Sequence, residues 1–223
     1  WKKSADWPPT SGDGLNLHLT ADNQLKSAST EEGAVSYKPD FGFGTGRNTR
    51  YGRLQARDVR SYYAAWQARS ENLLRFLGEP LETAVCMSGH PVVSLMLETD
   101  EADAAVIAYL EDIAPDGTRR YVTEGLLRAL HRKEGAPPAD YQASWPFHSC
   151  DEGDASPMTP GKPELLRFAM LATSWEFKSG HRVGLALAGA DKDNVVRIPY
   201  GRPGTWRIHV GGDAKSVLEL PVE

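Results

Sequence analysis

One continuous block, from Gly89 to Lys133, limits what this chain can fold into more than any other feature. It opens Gly-His-Pro-Val-Val-Ser-Leu-Met-Leu-Glu-Thr-Asp, continues through Ala104–Ile113, turns at Pro115-Asp116-Gly117 and closes with Tyr121–Lys133. Two apolar runs flank an acidic gap at Asp100–Asp103, and a third run ends in basic residues. The gaps are too short for a crossover helix, so the runs read as three antiparallel strands in a meander. The block holds no obvious catalytic group.

The pattern recurs on both sides of it. Leu15–Thr20 alternates apolar and polar residues behind a turn at Gly12-Asp13-Gly14, the period of a half-buried strand. Further strands are predicted at Leu73–Leu77, Thr83–Met87, Val92–Thr99, Ala104–Ile113, Tyr121–Arg132, Glu164–Thr173, His181–Ala190, Trp206–Val210 and Val217–Val222. Asp58–Arg69 is the one stretch where a short helix competes. Lys38–Tyr51 and Ala136–Pro163 read as long loops. Short strands separated by turns, with no regular helices between them, exclude a parallel α/β sheet and predict an all-β antiparallel sandwich. The 21 glycines and 15 prolines agree, being a mild excess that favours turns over a helical bundle. The organisation expected is one domain over 1–223, with irregular leading strands and a loop in 1–70 and the main sandwich in 71–223.

Charge and hydropathy remove other classes. A formal net charge of −5 offers no basic face for nucleic acid. No apolar run reaches the roughly 18 residues of a membrane-spanning helix. The start, Trp1-Lys2-Lys3-Ser4, has neither an initiating Met nor the apolar core of a signal peptide. The expectation is therefore a piece of a longer protein, or a processed product. Cys86 and Cys150 are expected to be reduced, largely buried thiols of a cytosolic protein; their spacing leaves a disulfide open.

The chemistry-bearing residues are sparse. No Gly-x-Ser-x-Gly elbow occurs. Ser88-Gly89-His90 and Ser179-Gly180-His181 pair Ser with His, yet each precedes a strand and reads as a turn. His148-Ser149-Cys150-Asp151 lies in a loop, where adjacency alone does not make a thiol nucleophile. No Cys-x-x-Cys or His-x-x-x-His spacing supports zinc. Acidic clusters stand at Asp100–Asp103, at Asp151–Asp154 and at Asp191, Asp193 and Asn194. The last is the leading calcium candidate, although such clusters are more often solvated turns. Among the aromatics, Trp145 and Tyr200 are candidates for a sugar or an interface. Trp206 is expected to face the core with Ile208 and Val210.

Several segments together resemble the C-terminal domain of the X-Pro dipeptidyl-peptidase and cocaine-esterase family of serine hydrolases. They are Arg69–Phe76 with Glu79-Pro80-Leu81, Gly89–Leu95, Asp103–Gly117, Thr123–Ala129 with His131-Arg132, Phe177–Val183, Ala188–Asp191, and Leu218–Val222. Each is weak alone, but their shared order is specific, and the match runs from about Trp7-Pro8-Pro9 to the end. The resemblance implies a jelly-roll β-sandwich of the galactose-binding-like class. It also implies an α/β-hydrolase domain in the same parent chain, carrying the Ser–Asp–His triad and a helical cap. Nothing here matches the triad region, so no catalytic residue and no cofactor carries over. The family often repeats an Asp-Pro pair after the position of Tyr37, where this chain has Lys38-Pro39-Asp40-Phe41-Gly42. The function expected is a non-catalytic module that supports the catalytic domain and its cleft, with homo-oligomers possible and neither nucleic acid nor membrane as partner. A carbohydrate-binding module on the same fold is the alternative. Structural roles are expected for Asp112, Asp116 and Gly117, which shape the hairpin turn. Arg128 and Arg132 are expected on one face of their strand, facing acids of a neighbour.

Overall fold

A computed structural model of the chain describes residues 7, 14–28, 31–51, 62, 63, 65–141, 143–214 and 216–223. Among these, the strands are β1 (Leu15–Leu19), β2 (Gln24–Lys26), β3 (Gly33–Tyr37), β4 (Leu74–Gly78), β5 (Val85–Gly89), β6 (Val92–Thr99), β7 (Ala105–Ile113), β8 (Arg119–Arg128), β9 (Glu164–Ala169), β10 (Thr173–Phe177), β11 (Arg182–Ala188), β12 (Trp206–Val210) and β13 (Val217–Leu220). A single-turn helix, α1 (Trp66–Arg69), is the α-helix among the described residues. The helix expected over 58–69 is thus four residues long where it is described. Residues 58–61 and 64 of that expectation, and Gly12-Asp13 of the first turn, lie outside the described residues.

The strands hydrogen-bond in the order β3-β12-β6-β13-β1-β2-β4-β11-β7-β8, with β9 on the other edge of β6 and a separate β5-β10 pair. Every pairing is antiparallel except β2 with β4. β1, β2 and β3 pair with β13, β4 and β12, so the leading segment is woven into the sandwich. The extended sheet folds over on itself, and the fold is an all-β sandwich.

Alternation sets the inner faces. Val93, Leu95 and Leu97 of β6, Leu166 and Phe168 of β9, and Trp206, Ile208 and Val210 of β12 meet Phe76 of β4, Leu185 and Leu187 of β11, and Val106 and Leu110 of β7. Each such fully buried side chain contributes about 1.5–3 kcal/mol of transfer free energy.

β7 departs from alternation, because all nine of its residues are buried. Its inner face belongs to the main core, and its outer face carries a second one. There Phe43, Tyr63, Trp66 and Leu73 pack on Ile107 and Tyr109 of β7 and on Ala186 and Ala188 of β11. Residues 40–51 and α1 thus form a strap over the outside of the β7–β11 layer. A β-bulge interrupts the β7–β8 register between Leu110 and Glu111: Leu110 pairs with Thr123 and Glu111 with Tyr121.

β6 and β12 form at the bounds predicted for them. The run expected over 164–173 breaks in two, because Met170 N–H donates to Pro91 O and Leu171 N–H donates to Glu124 O. The chain there leaves β6 for the edge of β8 and re-enters a strand as β10.

Candidate functional site

Strands buried on both faces should be apolar throughout, yet β7 and β8 each carry carboxylates in their interiors. Glu111, Asp112, Glu124 and Asp191, the last just beyond β11, are all buried. A buried carboxylate is costly unless it is paired or hydrogen-bonded, so its partners define the site.

Glu111 is fully buried beneath α1. Trp66 donates its indole N–H to Oε1 at 2.8 Å, and Arg75 of β4 reaches Oε2 at 2.7 Å and Oε1 at 3.2 Å. Arg75 also donates to Ser70 O at 2.7 Å, tying the end of α1 to the sheet. Asp112 receives Trp175 Nε1 at 3.2 Å and sits 2.7 Å from His181 Nδ1. Asp191 takes Thr45 N–H at 3.1 Å, the Thr45 hydroxyl, its own turn's Asp193 N–H at 3.1 Å and Asn194 Nδ2 at 3.1 Å. Asp193 in turn accepts Gly46 N–H at 2.7 Å. This network pins the strap to the β11 exit.

Glu124 is the centre of the aromatic part. The Tyr63 hydroxyl lies 2.6 Å from its Oε1 and 2.5 Å from its Oε2, and the Tyr51 and Tyr121 phenols are close enough to interact with it electrostatically. The Tyr63 and Tyr121 rings stack at 3.9 Å. Arg50 Nε donates to Tyr121 Oη at 2.9 Å. Burial raises the Glu124 pKa above the usual carboxylate range, and the Tyr63 and Tyr121 hydrogen bonds and the Arg50 charge work against that rise. Burial likewise pushes the phenols of Tyr51, Tyr63, Tyr109 and Tyr121 well up, with nearby charges and ionisable groups adding to the rise. The phenols remain donors throughout the physiological range, so the cluster clamps a carboxyl.

Beside it opens a cleft of about 370 Å³, walled by Tyr51, His90, Glu124, Tyr141, Trp145 and Leu171, with Gly125, Ala169 and Met170 at its base. Trp145 stacks on His90 at 3.9 Å, and His90 Nδ1 is held 2.9 Å from Met170 O. Tyr141 meets Trp145 edge-on at 6.0 Å.

The residues singled out in the sequence are largely placed elsewhere. Asp116 and Gly117 are in the hairpin turn: Asp116 Oδ1 accepts Thr118 N–H at 2.9 Å, and Gly117 has φ +83°. Asp112 lies inside β7 instead, and its carboxylate serves Trp175 and His181. Arg128 and Arg132 do not share a strand face, because β8 ends at Arg128 and a 3₁₀ turn over Ala129–His131 follows. Both are matched within this chain, Arg128 with Asp103 at 2.7 Å and Arg132 with Glu164. Within the Asp191 cluster, Asp191 is buried in a hydrogen-bonded knot, while Asn194 is half-buried and Asp193 is exposed. Trp145 is half-buried, and Tyr200, 95 % exposed, lies outside the cleft that Trp145 lines. Cys86 and Cys150 are free thiols, and Cys150 is exposed where burial was expected.

The Ser/His pairs are diverted. Ser88 Oγ bonds to Ser174, Ser179 Oγ donates to Glu82 O, and both ring nitrogens of His148 lie against backbone carbonyls. Of the buried carboxylates, Asp112 was singled out for the hairpin turn and Asp191 for calcium, whereas Glu111 and Glu124 were not singled out as site residues. Their signal was present, an acid interrupting an apolar strand run at Leu110-Glu111-Asp112-Ile113 and at Thr123-Glu124-Gly125.

Comparison with known proteins gives a consistent result. The family described as X-Pro dipeptidyl-peptidase C-terminal non-catalytic domain matches residues 1–218. A protein of Mycobacterium bovis named as a serine esterase is 34 % identical over 224 residues, covering 100 % of this chain and 35 % of that protein. A protein of Streptomyces avermitilis named as an Xaa-Pro dipeptidyl-peptidase is 26 % identical over 227 residues, covering 91 % of this chain and 32 % of that protein. The crystal structure of a CocE/NonD family hydrolase from Staphylococcus aureus superimposes with a TM-score of 0.71 at 16 % identity, over 99 % of this chain and 38 % of that one. The structural likeness is one of fold. The chain spans about a third of the length of the curated relatives it matches.

Proposed function

The chain belongs to the X-Pro dipeptidyl-peptidase C-terminal non-catalytic domain family, and from that premise we propose that it is the accessory β-sandwich of a longer serine hydrolase acting on ester or amide bonds. Its task is to brace the α/β-hydrolase portion of the parent and to help wall its cleft. One observation carries the reading. The chain aligns along its whole length with about a third of a protein named as a serine esterase, and over 91 % of its length with about a third of one named as an Xaa-Pro dipeptidyl-peptidase. The site chemistry supports it, since the buried acids are held by indole, guanidinium, phenol and backbone donors in a rigid architectural network and no serine is poised on a His–carboxylate pair among the described residues.

The test is an assay of the purified 223-residue chain and of its parent against p-nitrophenyl esters and Xaa-Pro p-nitroanilides. Turnover is expected from the parent alone, and abolished by a fluorophosphonate. Turnover by the isolated chain that survives the fluorophosphonate overturns the reading. A second reading, a carbohydrate-binding module, draws on the 95 % exposure of Tyr200. Titration with oligosaccharides, followed by intrinsic fluorescence, is its check.

A further inference from the structure

The strap covers the outer face of β7 and stops short of the neighbouring position on β8. Ile107 and Leu126 are cross-strand partners, yet Ile107 is 1 % exposed and Leu126 45 %. Leu171 and Tyr141, 46 % and 48 % exposed, flank the same cleft. Three large apolar side chains left in water around one concavity are unlike the scattered apolar residues of an ordinary surface. Val196 and Tyr200 lie on a separate loop. Of two further clefts among the described residues, one is lined by Glu32, Arg207, His209 and Asp213, and the other sets Leu165 and Val217 among His18, Arg167 and Glu219.

The apolar cleft is also built before anything enters it. Trp145 is clamped on His90, His90 is anchored to the Met170 carbonyl, and Gly125 packs so tightly on the Ala169 carbonyl that a Cβ there would sit 2.5 Å from it. A fixed indole beside a shallow apolar floor is the geometry of an interface hot spot, where little side-chain entropy remains to be lost.

We propose that this face, centred on Trp145 and rimmed by Leu126, Tyr141 and Leu171, is where the hydrolase portion of the parent chain docks, with an apolar side chain of that portion seated in the cleft. This rests on the reading of the chain as one part of a longer hydrolase. The occupant follows from length: a relative that aligns with this chain end to end holds about two thirds of its residues outside it, and that portion needs an apolar seat. The two further clefts among the described residues set Arg207 and Asp213, or Arg167 and Glu219, on the wall of any such seat.

The experiment is hydroxyl-radical footprinting of the full-length parent, read by mass spectrometry. Expected is a loss of labelling at Trp145 and Tyr141 to the level of the buried Trp206 and Tyr109, with Tyr200 fully labelled. Leu126→Asp is expected to restore labelling at Trp145, whereas Leu165→Asp, on the cleft of Arg167 and Glu219, leaves it protected. Labelling of Trp145 and Tyr141 on a par with Tyr200 overturns the proposal. Protection that vanishes on dilution together with a dimer's light-scattering mass assigns the face to a second copy, and also overturns it. Protection that appears only with added oligosaccharide does the same. A fluorophosphonate tag on the parent serine reports separately on the hydrolase reading: a tagged parent with an open face refutes the docking alone, and an untagged parent with a protected face refutes the hydrolase reading alone.

Discussion

Tyr121 and Glu124 project from the same face of β8 although they stand three positions apart. In a regular strand such a pair points to opposite faces. The bulge opposite Leu110 and Glu111 inserts one extra residue, Val122, which turns into the main core. Tyr121 and Glu124 can then both meet Tyr63, one through its ring and the other through its hydroxyl. The strap is thereby fastened to β8 at the edge of the cleft.

The raised pKa of Glu124 gives a pH dependence of definite sign. The folded state binds the proton more tightly than the unfolded chain, whose carboxyl titrates near 4.5. Stability from this group is full below that value and falls as pH climbs through the higher folded value. Glu124→Gln is expected to flatten this arm of the stability curve. Tyr63→Phe, which removes the hydrogen bonds that favour the ionised form, is expected to shift the arm further up. Urea unfolding at closely spaced pH values measures both, and coincident wild-type and Glu124→Gln profiles would refute the assignment.

Arg75 and Glu111 form a buried pair, and removing one partner strands the other. Arg75→Met leaves Glu111 with a single neutral donor, Trp66 Nε1. The expected loss is about 3 kcal/mol, which for a chain of this size is a fall in Tm of about 6–12 °C. Arg75→Met combined with Glu111→Leu should recover most of it, because no charge is then left buried. Differential scanning calorimetry of the two single variants and the double variant gives the coupling directly.

Gly125 is constrained by space. An added Cβ would lie 2.5 Å from Ala169 O and 2.8 Å from Met170 Cα, both backbone atoms. Gly125→Ala is expected to cost about 1–3 kcal/mol and to slacken the cleft floor. Gly153→Ala, where nothing lies within 4 Å of the new methyl, serves as the control, with an expected change within about 0.5 kcal/mol. Equal Tm values for the two variants would contradict this packing.

Asp191 is saturated by protein donors at both carboxylate oxygens. Calcium has no vacant oxygen pair to take there, so millimolar calcium or a chelator is expected to leave Tm unchanged. Asp191→Ala instead frees Thr45 and Asn194, at about 2–3 kcal/mol, and exposes residues 40–51 to proteolysis. A calcium-dependent rise in Tm that Asp191→Ala abolishes would return the site to the metal ligands.

The fold class and most strands were legible because apolar periodicity and turn chemistry are local. β6 and β12 formed at their predicted bounds. β2, β3 and β10 were missed, since each is short and owes its existence to a pairing partner: β3 to β12 and β10 to β5. A register partner far along the chain leaves no local mark. Asp116 and Gly117 lie in the hairpin turn, whereas Asp112, drawn into the same turn reading, lies inside β7, which continues past it.

By itself the sequence determined an all-β sandwich with no nucleophile motif and the ordered segments of one hydrolase family, because period, turn residues and motif order are written in neighbouring positions. Only the tertiary structure decided that Glu111, Asp112, Glu124 and Asp191 are buried, that Tyr63 and Trp66 hold two of them, and that Trp145 is fixed beside Leu126 and Leu171. Burial and hydrogen bonding of a carboxylate depend on what folds over it. Here that cover is residues 40–51 and α1, held to Glu111 of β7 and to Asp191 beyond β11 by contacts that span 45 and 146 positions of sequence.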